Sequence, residues 1–328
     1  MSADTLGLYN LHLSRPKIFE FTRMVRAINC TELSEPVVHY LRESLSENTR
    51  RAYLSDIAHF ESWGGNIPAT DELIASYIAA HAETLSVATL VRRIASLSKA
   101  HRSRGLPTPT SSELVKSVLR GIKRKKGVAH KEAKPLLRDD LFLVLDAMGD
   151  GLKDIRDKAL LLIGFAGGFR RSELVAIDRE DVQSVRQGII IHIRRSKTDQ
   201  EGAGRKIGIP HGRTRYCPVM ALERWLELSG ITDGPVFRPV DRHARIRVQR
   251  LSGEAIALVV KDRVSAAGMD PTSHSGHSLR SGLATSAAQA GVSSWKIRQQ
   301  TGHASDAMLA RYIRDGELFT ENAVSALL

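Results

Sequence analysis

The chain has 328 residues, a length that suits two domains, each large enough to bury a hydrophobic core. Lys and Arg outnumber Asp and Glu by 48 to 36, and the net charge of +12 favours a polyanionic partner such as a nucleic acid. Two cysteines exclude a disulfide framework and a cysteine-rich metal site. The sequence shows neither a leader pattern nor an apolar run of membrane length. We therefore expect a soluble cytoplasmic protein, which would be nucleoid-associated if the host is a bacterium.

The first third of the chain predicts a short extension followed by a helical bundle. Residues 1–30 show no clear hydrophobic period, and we expect them to form an extension that is in part disordered. Within 31–126, helices are predicted by four segments, NTRRAYLSDIAHFESW, DELIASYIAAHAE, SVATLVRRIASLSKAHRSRG and SSELVKSVLRGIKRKK. Ser46 is the expected N-cap of the first of these helices, and Gly64 and Gly65 are its expected stop.

Basic residues concentrate in this bundle and just after it. Between residues 92 and 134, thirteen Lys or Arg residues face only Glu113 and Glu132, a local excess typical of a nucleic-acid-binding surface. The candidates for contacts with DNA are Arg50, Arg51, Arg92, Arg93, Lys99, Arg120, Lys123, Arg124 and Lys125. The polar segment 127–135, closed by a proline, is typical of an exposed linker between domains.

Residues 136–328 predict a second domain that is mostly helical and contains one small sheet. LRDDLFLVLDAM and KDIRDKALLLIGFAG predict helices, GIIIHIRRSK and RKIGIP predict the two strands of a hairpin, and the remainder predicts helices to the end. The expected fold class is therefore mainly α in two domains, with a helical first domain and a mixed α/β, mostly helical, second domain.

Four segments of the second domain carry polar side chains suited to chemistry on a phosphodiester. Such chemistry needs cations around the phosphate, a proton donor for the leaving oxygen and a nucleophile held in line. The seven candidates are Arg170 and Glu173 in GGFRRSEL, Lys197 at the hairpin tip, His277 and Arg280 in HSGHSLRSG, and His303 and Tyr312 in TGHASDAMLARY.

Taken singly, each candidate also fits a plainer role. Arg170 could form a surface salt bridge, a lysine in a turn is usually only solvated, and a lone histidine is most often a core or cap residue. Tyr312 could simply pack on Met308, one helical turn earlier. Lys206 competes with the hairpin lysine as a proton donor, and His274 is interpreted as structural.

The order and spacing of the four segments resemble the tyrosine recombinase, or phage integrase, family. The resemblance is most specific in the pair Gly302 and His303 followed by Tyr312, although some members carry tryptophan in place of this histidine. It spans residues 170–312 and extends more loosely over the first domain. The implied fold is a helical DNA-binding domain joined to a catalytic domain, which together close as a clamp around DNA.

The resemblance implies a role for each candidate. Tyr312 attacks the phosphate, forming a 3′-phosphotyrosyl bond and a free 5′ hydroxyl. Arg170 and Arg280 hold the phosphate oxygens, Lys197 protonates the leaving oxygen and His277 exchanges protons beside it. The glutamate one turn after the first arginine orients the site. Neither ATP, a metal nor another cofactor is implied.

The resemblance also implies partners. Family members act as four protomers on two DNA sites, passing a C-terminal helix from each protomer to the next, and the apolar stripe within residues 317–328 could be donated in this way or could dock on its own domain. The expected substrate is duplex DNA with an inverted-repeat core site. The expected assembly away from the synapse is a monomer or dimer.

Two alternatives remain open from the residues alone. Residues 290–312 could form a helix-turn-helix of a basic DNA-binding regulator whose tyrosine only packs. A type IB topoisomerase would use similar chemistry to relax DNA without exchanging partners.

Overall fold

The computed structural model describes residues 34–127, 133–196 and 202–303, together with the single positions 199, 305, 307, 309, 310 and 312. The predictions made for residues 1–30, for Lys197, for Met308 and for the terminal helix at 317–328 lie outside the described residues. The chain divides into two compact units, Met1–His130 and Lys131–Leu328, and the boundary lies inside the segment 127–135.

The described part of the first unit contains five α-helices. They are α1 (Glu35–Glu43), α2 (Glu47–Ser62), α3 (Asp71–Ala80), α4 (Val87–Ser103) and α5 (Glu113–Lys126). Ser46 caps α2 as predicted, because its hydroxyl accepts a hydrogen bond from the Thr49 backbone N–H at 3.3 Å. Serine or threonine caps α3, α4 and α5 in the same manner. The apolar faces of α2 to α5 meet in one core around Phe60, Ile74, Leu90 and Leu97.

The second unit is mostly helical, as the sequence predicts. Its described helices are α6 (Arg138–Asp146), α7 (Leu152–Ala166), α8 (Arg171–Ala176), α9 (Pro218–Ser229), α10 (Gly253–Ala266), α11 (Ser278–Gln289) and α12 (Ser294–Thr301). Residues 155–157 and 159–164 of α7 are all buried, so this helix is central and packs against α9 and α11. No helix among the described residues is long and apolar enough to cross a membrane.

A three-stranded antiparallel sheet in the order β1-β2-β3 interrupts these helices. The strands are β1 (Val182–Val185), β2 (Gly188–Ile193) and β3 (Arg205–Pro210). The predicted hairpin is β2 and β3, with Ile193 opposite Arg205 at the end next to the connecting loop. The sequence did not predict β1, whose four residues show no alternation of buried and exposed positions.

Candidate active site

The two glycines of GGFRRSEL end α7 and place Arg170 at the start of α8. Gly168 adopts a positive φ of 57°, which favours glycine, and Arg170 follows as the N-cap residue. The Glu173 carboxylate accepts hydrogen bonds from the Arg170 backbone N–H at 3.0 Å and from its Nη1 at 2.6 Å. Because the Glu173 side chain is only 1% exposed, this ion pair fixes the direction of the guanidinium group.

The C-terminal end of α12 gathers three guanidinium groups on consecutive backbone carbonyls. Arg205 Nη1 donates to the carbonyl oxygen of Gln300 at 2.9 Å, Arg280 Nη1 to that of Thr301, and Arg170 Nη2 to that of Gly302 at 3.2 Å. The last carbonyls of a helix lack partners within it and carry its partial negative charge. The end of α12 therefore draws together arginines from the N-cap of α8, from β3 and from α11, directly before His303.

Arg280 is the most deeply buried of the three arginines, with 2% of its surface exposed. Its Nη1 also donates to the carbonyl oxygen of Gly168 at 2.7 Å, so it ties the turn before Arg170 to the end of α12. Burial, reinforced by the charge of Arg170, lowers the pKa of Arg280 to about 10. The group remains a cation at neutral pH.

Arg205 is a member of this cluster that the sequence reasoning missed. Its Nη2 donates to the second oxygen of Glu173 at 3.1 Å, and burial lowers its pKa although Glu173 opposes the shift. The signal was present in RKIGIP, because alternation along a strand puts Arg205 on the same face as the buried Ile207 and Ile209. The same alternation leaves Lys206, the competing proton donor, exposed on the opposite face.

His303 is a buried, neutral member of the site. The Thr301 hydroxyl donates to the Ile297 carbonyl oxygen at 2.7 Å and lies 2.7 Å from His303 Nδ1. Because that hydroxyl has one hydrogen, Nδ1 must carry the proton of the second bond, which leaves the lone pair on Nε2. Burial and the charges of Arg280 and Arg170 lower the pKa of His303 to about 3.

The Tyr312 phenol lies beside His277 and His303. Its hydroxyl is 2.8 Å from His277 Nε2, and its ring centroid is 5.7 Å from that of His303. The phenolate would also interact electrostatically with Arg280. The ring packs on a small apolar cluster that includes Leu309, while its hydroxyl oxygen faces the polar side chains of the site.

The structure thus brings together six of the seven predicted site residues: Arg170, Glu173, His277, Arg280, His303 and Tyr312. Lys197 lies outside the described residues. His274 is buried, and its Nδ1 lies 2.9 Å from the Asp270 carbonyl oxygen, in keeping with a structural role. The described residues contain no cluster of His, Cys, Asp and Glu suited to a metal ion.

The basic candidates of the first unit differ in exposure. Eight of them are exposed or half-buried, but Arg93 is buried, with Nη1 donating to the Tyr77 hydroxyl at 2.9 Å and Nε facing Asp56. This placement argues against the prediction that Arg93 contacts DNA, because its guanidinium is occupied inside the unit. Arg92 donates to both oxygens of the same carboxylate yet remains half exposed.

A basic loop of the second unit, residues 238–250, was also missed. It carries five arginines, and Asp241 folds its tip by accepting from the backbone N–H groups of His243 and Arg245. The side chains from Arg242 to Arg245 are exposed. Counting charges in RPVDRHARIRVQR would have found the loop, which lies far along the chain from the basic stretch of the first domain.

Comparisons with known proteins agree on one family. The family model described as "Phage integrase family" matches residues 134–317, more than half of the chain. An integrase/recombinase XerD homolog of Selenomonas ruminantium is 38% identical over 94% of this chain and 94% of its own length. Recombinase Cre of Escherichia phage P1 is 30% identical over 84% of this chain and 86% of its own.

The fold has matching solved structures. A lambda integrase tetramer bound to a Holliday junction superposes with a TM-score of 0.60 at 15% identity, covering 93% of this chain and 79% of that chain. At this identity the likeness concerns the fold, and it supports the predicted class of a helical unit joined to a mostly helical unit with a small sheet.

Proposed function

The chain belongs to the phage integrase family of tyrosine recombinases, and from that premise we propose that it cuts and rejoins duplex DNA at specific sites through Tyr312. The observation that carries the proposal is the cluster of Arg170, Arg205 and Arg280 on one helix end, beside a phenol 2.8 Å from a histidine nitrogen. A phosphate next to these cations and this phenol would have the surroundings that nucleophilic attack needs.

The proposed step is a transesterification at phosphorus. The Tyr312 oxygen forms a bond to phosphorus and loses its proton, with His277 Nε2 within hydrogen-bonding distance to take part in that transfer. The bond from phosphorus to the 5′ oxygen breaks, and that oxygen takes up one proton, which we assign to Lys197. The phosphodiester is replaced by a phosphotyrosyl ester, so the later attack of a 5′ hydroxyl needs no nucleotide cofactor.

Electrostatics supply the activation. A free tyrosine has a pKa near 10 and is a weak nucleophile at neutral pH. The guanidinium groups would stabilise both the phenolate and the five-coordinate transition state, in a site where burial weakens solvent screening. We assign Arg170 and Arg280 to the non-bridging oxygens of the phosphate. His303 is neutral and contributes through hydrogen bonding.

The proposed partner is duplex DNA with an inverted-repeat core site, bound by both units. Candidates for phosphate contacts in the first unit are the exposed or half-buried basic residues named above without Arg93, and the loop 238–250 adds a second basic surface. We further propose four protomers on two DNA sites, with residues 317–328 passed between protomers. Support comes from the likeness to an integrase whose tetramer binds a Holliday junction.

Trapping on nicked DNA tests the proposal. Wild type should form a covalent protein–DNA adduct on an oligonucleotide nicked near the cleavage site, and should do so in excess EDTA. Tyr312→Phe should abolish the adduct and retain DNA binding. No adduct from wild type on any site it binds would instead favour a regulator, and a loss of cleavage in EDTA that magnesium restores would contradict the mechanism.

Strand exchange is tested separately. Two duplexes of different length that carry the bound site should give recombinant product with wild type and none with Tyr312→Phe. Relaxation of supercoiled DNA without such product would favour a topoisomerase. Deleting residues 317–328 should prevent tetramer assembly on paired sites, and unchanged assembly would refute the exchange of that segment.

A further inference from the structure

We propose that Arg205 is a positioning residue for strand cleavage, which holds Glu173 and the end of α12 so that Arg170 presents its guanidinium to the scissile phosphate. The proposal rests on the proposed function and adds a residue from the β-sheet to the site. Four observations support it: a shared carboxylate, a shared helix end, the local charge balance and the burial of the arginine.

The shared carboxylate is Glu173. Its Oε1 accepts from Arg170 Nη1 at 2.6 Å, and its Oε2 accepts from Arg205 Nη2 at 3.1 Å. With 1% of its side chain exposed, Glu173 has little water to replace a lost partner. Removing Arg205 would therefore take the ion pair from Oε2 of a buried carboxylate, leave the Arg170 backbone N–H as the remaining partner of that oxygen, and hold the carboxylate less firmly. A shift of Glu173 would in turn change the direction of the Arg170 guanidinium.

The shared helix end is the sequence from Gln300 to Gly302. Arg205 binds the carbonyl of Gln300, and Arg170 binds that of Gly302. The Arg205 guanidinium lies so close to Gly302 that an added Cβ would be 2.7 Å from Nη1, and Gly302 also has a φ of +66°. Glycine at this position therefore permits both the turn into His303 and the approach of Arg205.

The net charge of the cluster depends on Arg205. Arg170, Arg205 and Arg280 with Glu173 sum to a charge of +2 among these four groups. Attack of a phenolate on a singly charged phosphodiester creates a transition state with a charge of −2, which this cluster would match. Without Arg205 the same groups sum to +1.

The burial of Arg205 argues against a purely structural role for this side chain. The Arg205 Nε is buried and has no hydrogen-bond partner in the part of the chain that the structure describes. An apolar residue would extend the buried stripe of Ile207 and Ile209 without leaving such a donor. A cation retained here, against the cost of its desolvation, suits a role in the electrostatics of the site.

The test compares Arg205→Gln and Arg205→Lys with Arg186→Gln, which removes an exposed arginine from the β1–β2 turn of the same sheet. Single-turnover adduct formation on nicked DNA gives the cleavage rate, and a binding titration gives Kd. We expect Arg205→Gln to cleave about 10- to 100-fold more slowly, which corresponds to ~1.4–2.7 kcal/mol of activation free energy, with Kd changed less than about threefold. Arg205→Lys should lie between, because one ammonium keeps the charge but not both contacts.

A neutral substrate separates positioning at the phosphate from general loosening of the fold. A methylphosphonate at the scissile position lacks the negative charge that the arginines would stabilise. The ratio of the wild-type cleavage rate to the Arg205→Gln cleavage rate should therefore shrink at least about fivefold. An unchanged ratio, or a wild-type rate for Arg205→Gln on normal DNA, would overturn the proposal. If Arg205→Gln does not fold, the same ratio for Arg205→Lys decides. An inactive wild type would refute the proposed function instead, whatever the variants do.

A double-mutant cycle with Glu173→Gln provides a second reading. If Arg205 acts through this carboxylate, the double variant should cleave nearly as slowly as the slower single variant. Effects that multiply, giving the product of the two single losses, would show that Arg205 acts independently of Glu173 and would overturn this part of the assignment.

Discussion

Replacing Thr301 by valine tests how the site holds His303. The substitution keeps the shape of the side chain and removes the hydroxyl that bridges Ile297 and His303. Thr301 is completely buried and His303 nearly so, which means that water cannot easily replace the missing oxygen. The His303 Nδ1–H would then point at a methyl group.

The expected loss of stability follows from these contacts. A buried donor left without its acceptor costs about 1–3 kcal/mol, more than the net value of an ordinary hydrogen bond. The Ile297 carbonyl oxygen is less affected, because Thr301 lies four residues later in α12 and its backbone N–H faces this oxygen in a regular helix. We therefore expect Thr301→Val to destabilise the second unit by roughly 2 kcal/mol.

The chain offers a matched control in Thr285. This threonine of α11 is 3% exposed, but its hydroxyl has no hydrogen-bond partner among the described residues. Thr285→Val removes a buried polar group that gains nothing from its surroundings, so it should be neutral or stabilising by up to about 1 kcal/mol. Urea unfolding at pH 7.5, followed by a probe in the second unit, measures both variants.

Nitrogen NMR of the histidine ring adds a direct readout. In wild type, His303 should carry its proton on Nδ1, and Thr301→Val should shift population towards the Nε2–H form. Equal stabilities of the two valine variants, or an Nε2–H ring in wild type, would refute the inference that Thr301 fixes the tautomer.

Two further predictions concern pH and packing. His303 has a folded pKa of about 3 against an ordinary value of 6.5, so its contribution to stability is present above pH 6.5 and is lost as the pH falls towards 3. From pH 7.5 to 5, wild type should lose about 2 kcal/mol more than His303→Gln in urea unfolding, and equal losses would contradict a neutral, buried ring. Gly282→Ala should destabilise the second unit by at least ~1–3 kcal/mol, because the new Cβ would lie 1.8 Å from the Leu136 carbonyl oxygen. Gly121→Ala, in the open middle of α5, should instead stabilise by about 0.5–1 kcal/mol, and similar melting shifts for both would refute the steric reason.

Local signals made most of the fold predictable from the sequence. Ser46 and Gly64 delimit α2 as expected, and the alternation in RKIGIP marks β3. The strand β1 could not be recognised, because four residues with one buried position carry too little pattern. The burial of Arg93 could not be predicted for a different reason. A helix face rich in basic residues is expected to be exposed unless the partners opposite it are known, and here these partners are Tyr77 and Asp56.

Six residues that the structure brings together were named from the sequence, whereas Arg205 and the geometry of the cluster were not. The spacing of Arg170, His277, Arg280 and Tyr312 follows a family pattern that can be read from one sequence. The alternation in RKIGIP indicates only that Arg205 faces inward, and it does not identify the partners of Arg205, which are 32 residues before it and 95 residues after it along the chain.

A single arrangement explains why these distant residues meet. Three arginines from three different elements bind the carbonyls of Gln300, Thr301 and Gly302, so the end of α12 sets their spacing before any phosphate is present. Cations fixed in this way need not reorganise when charge develops at phosphorus, which is the condition under which electrostatic stabilisation contributes most to a rate. We therefore expect the glycine that ends α12 to support the proposed catalysis through the backbone, because a side chain at Gly302 would displace Arg205 and disturb the turn that leads to His303.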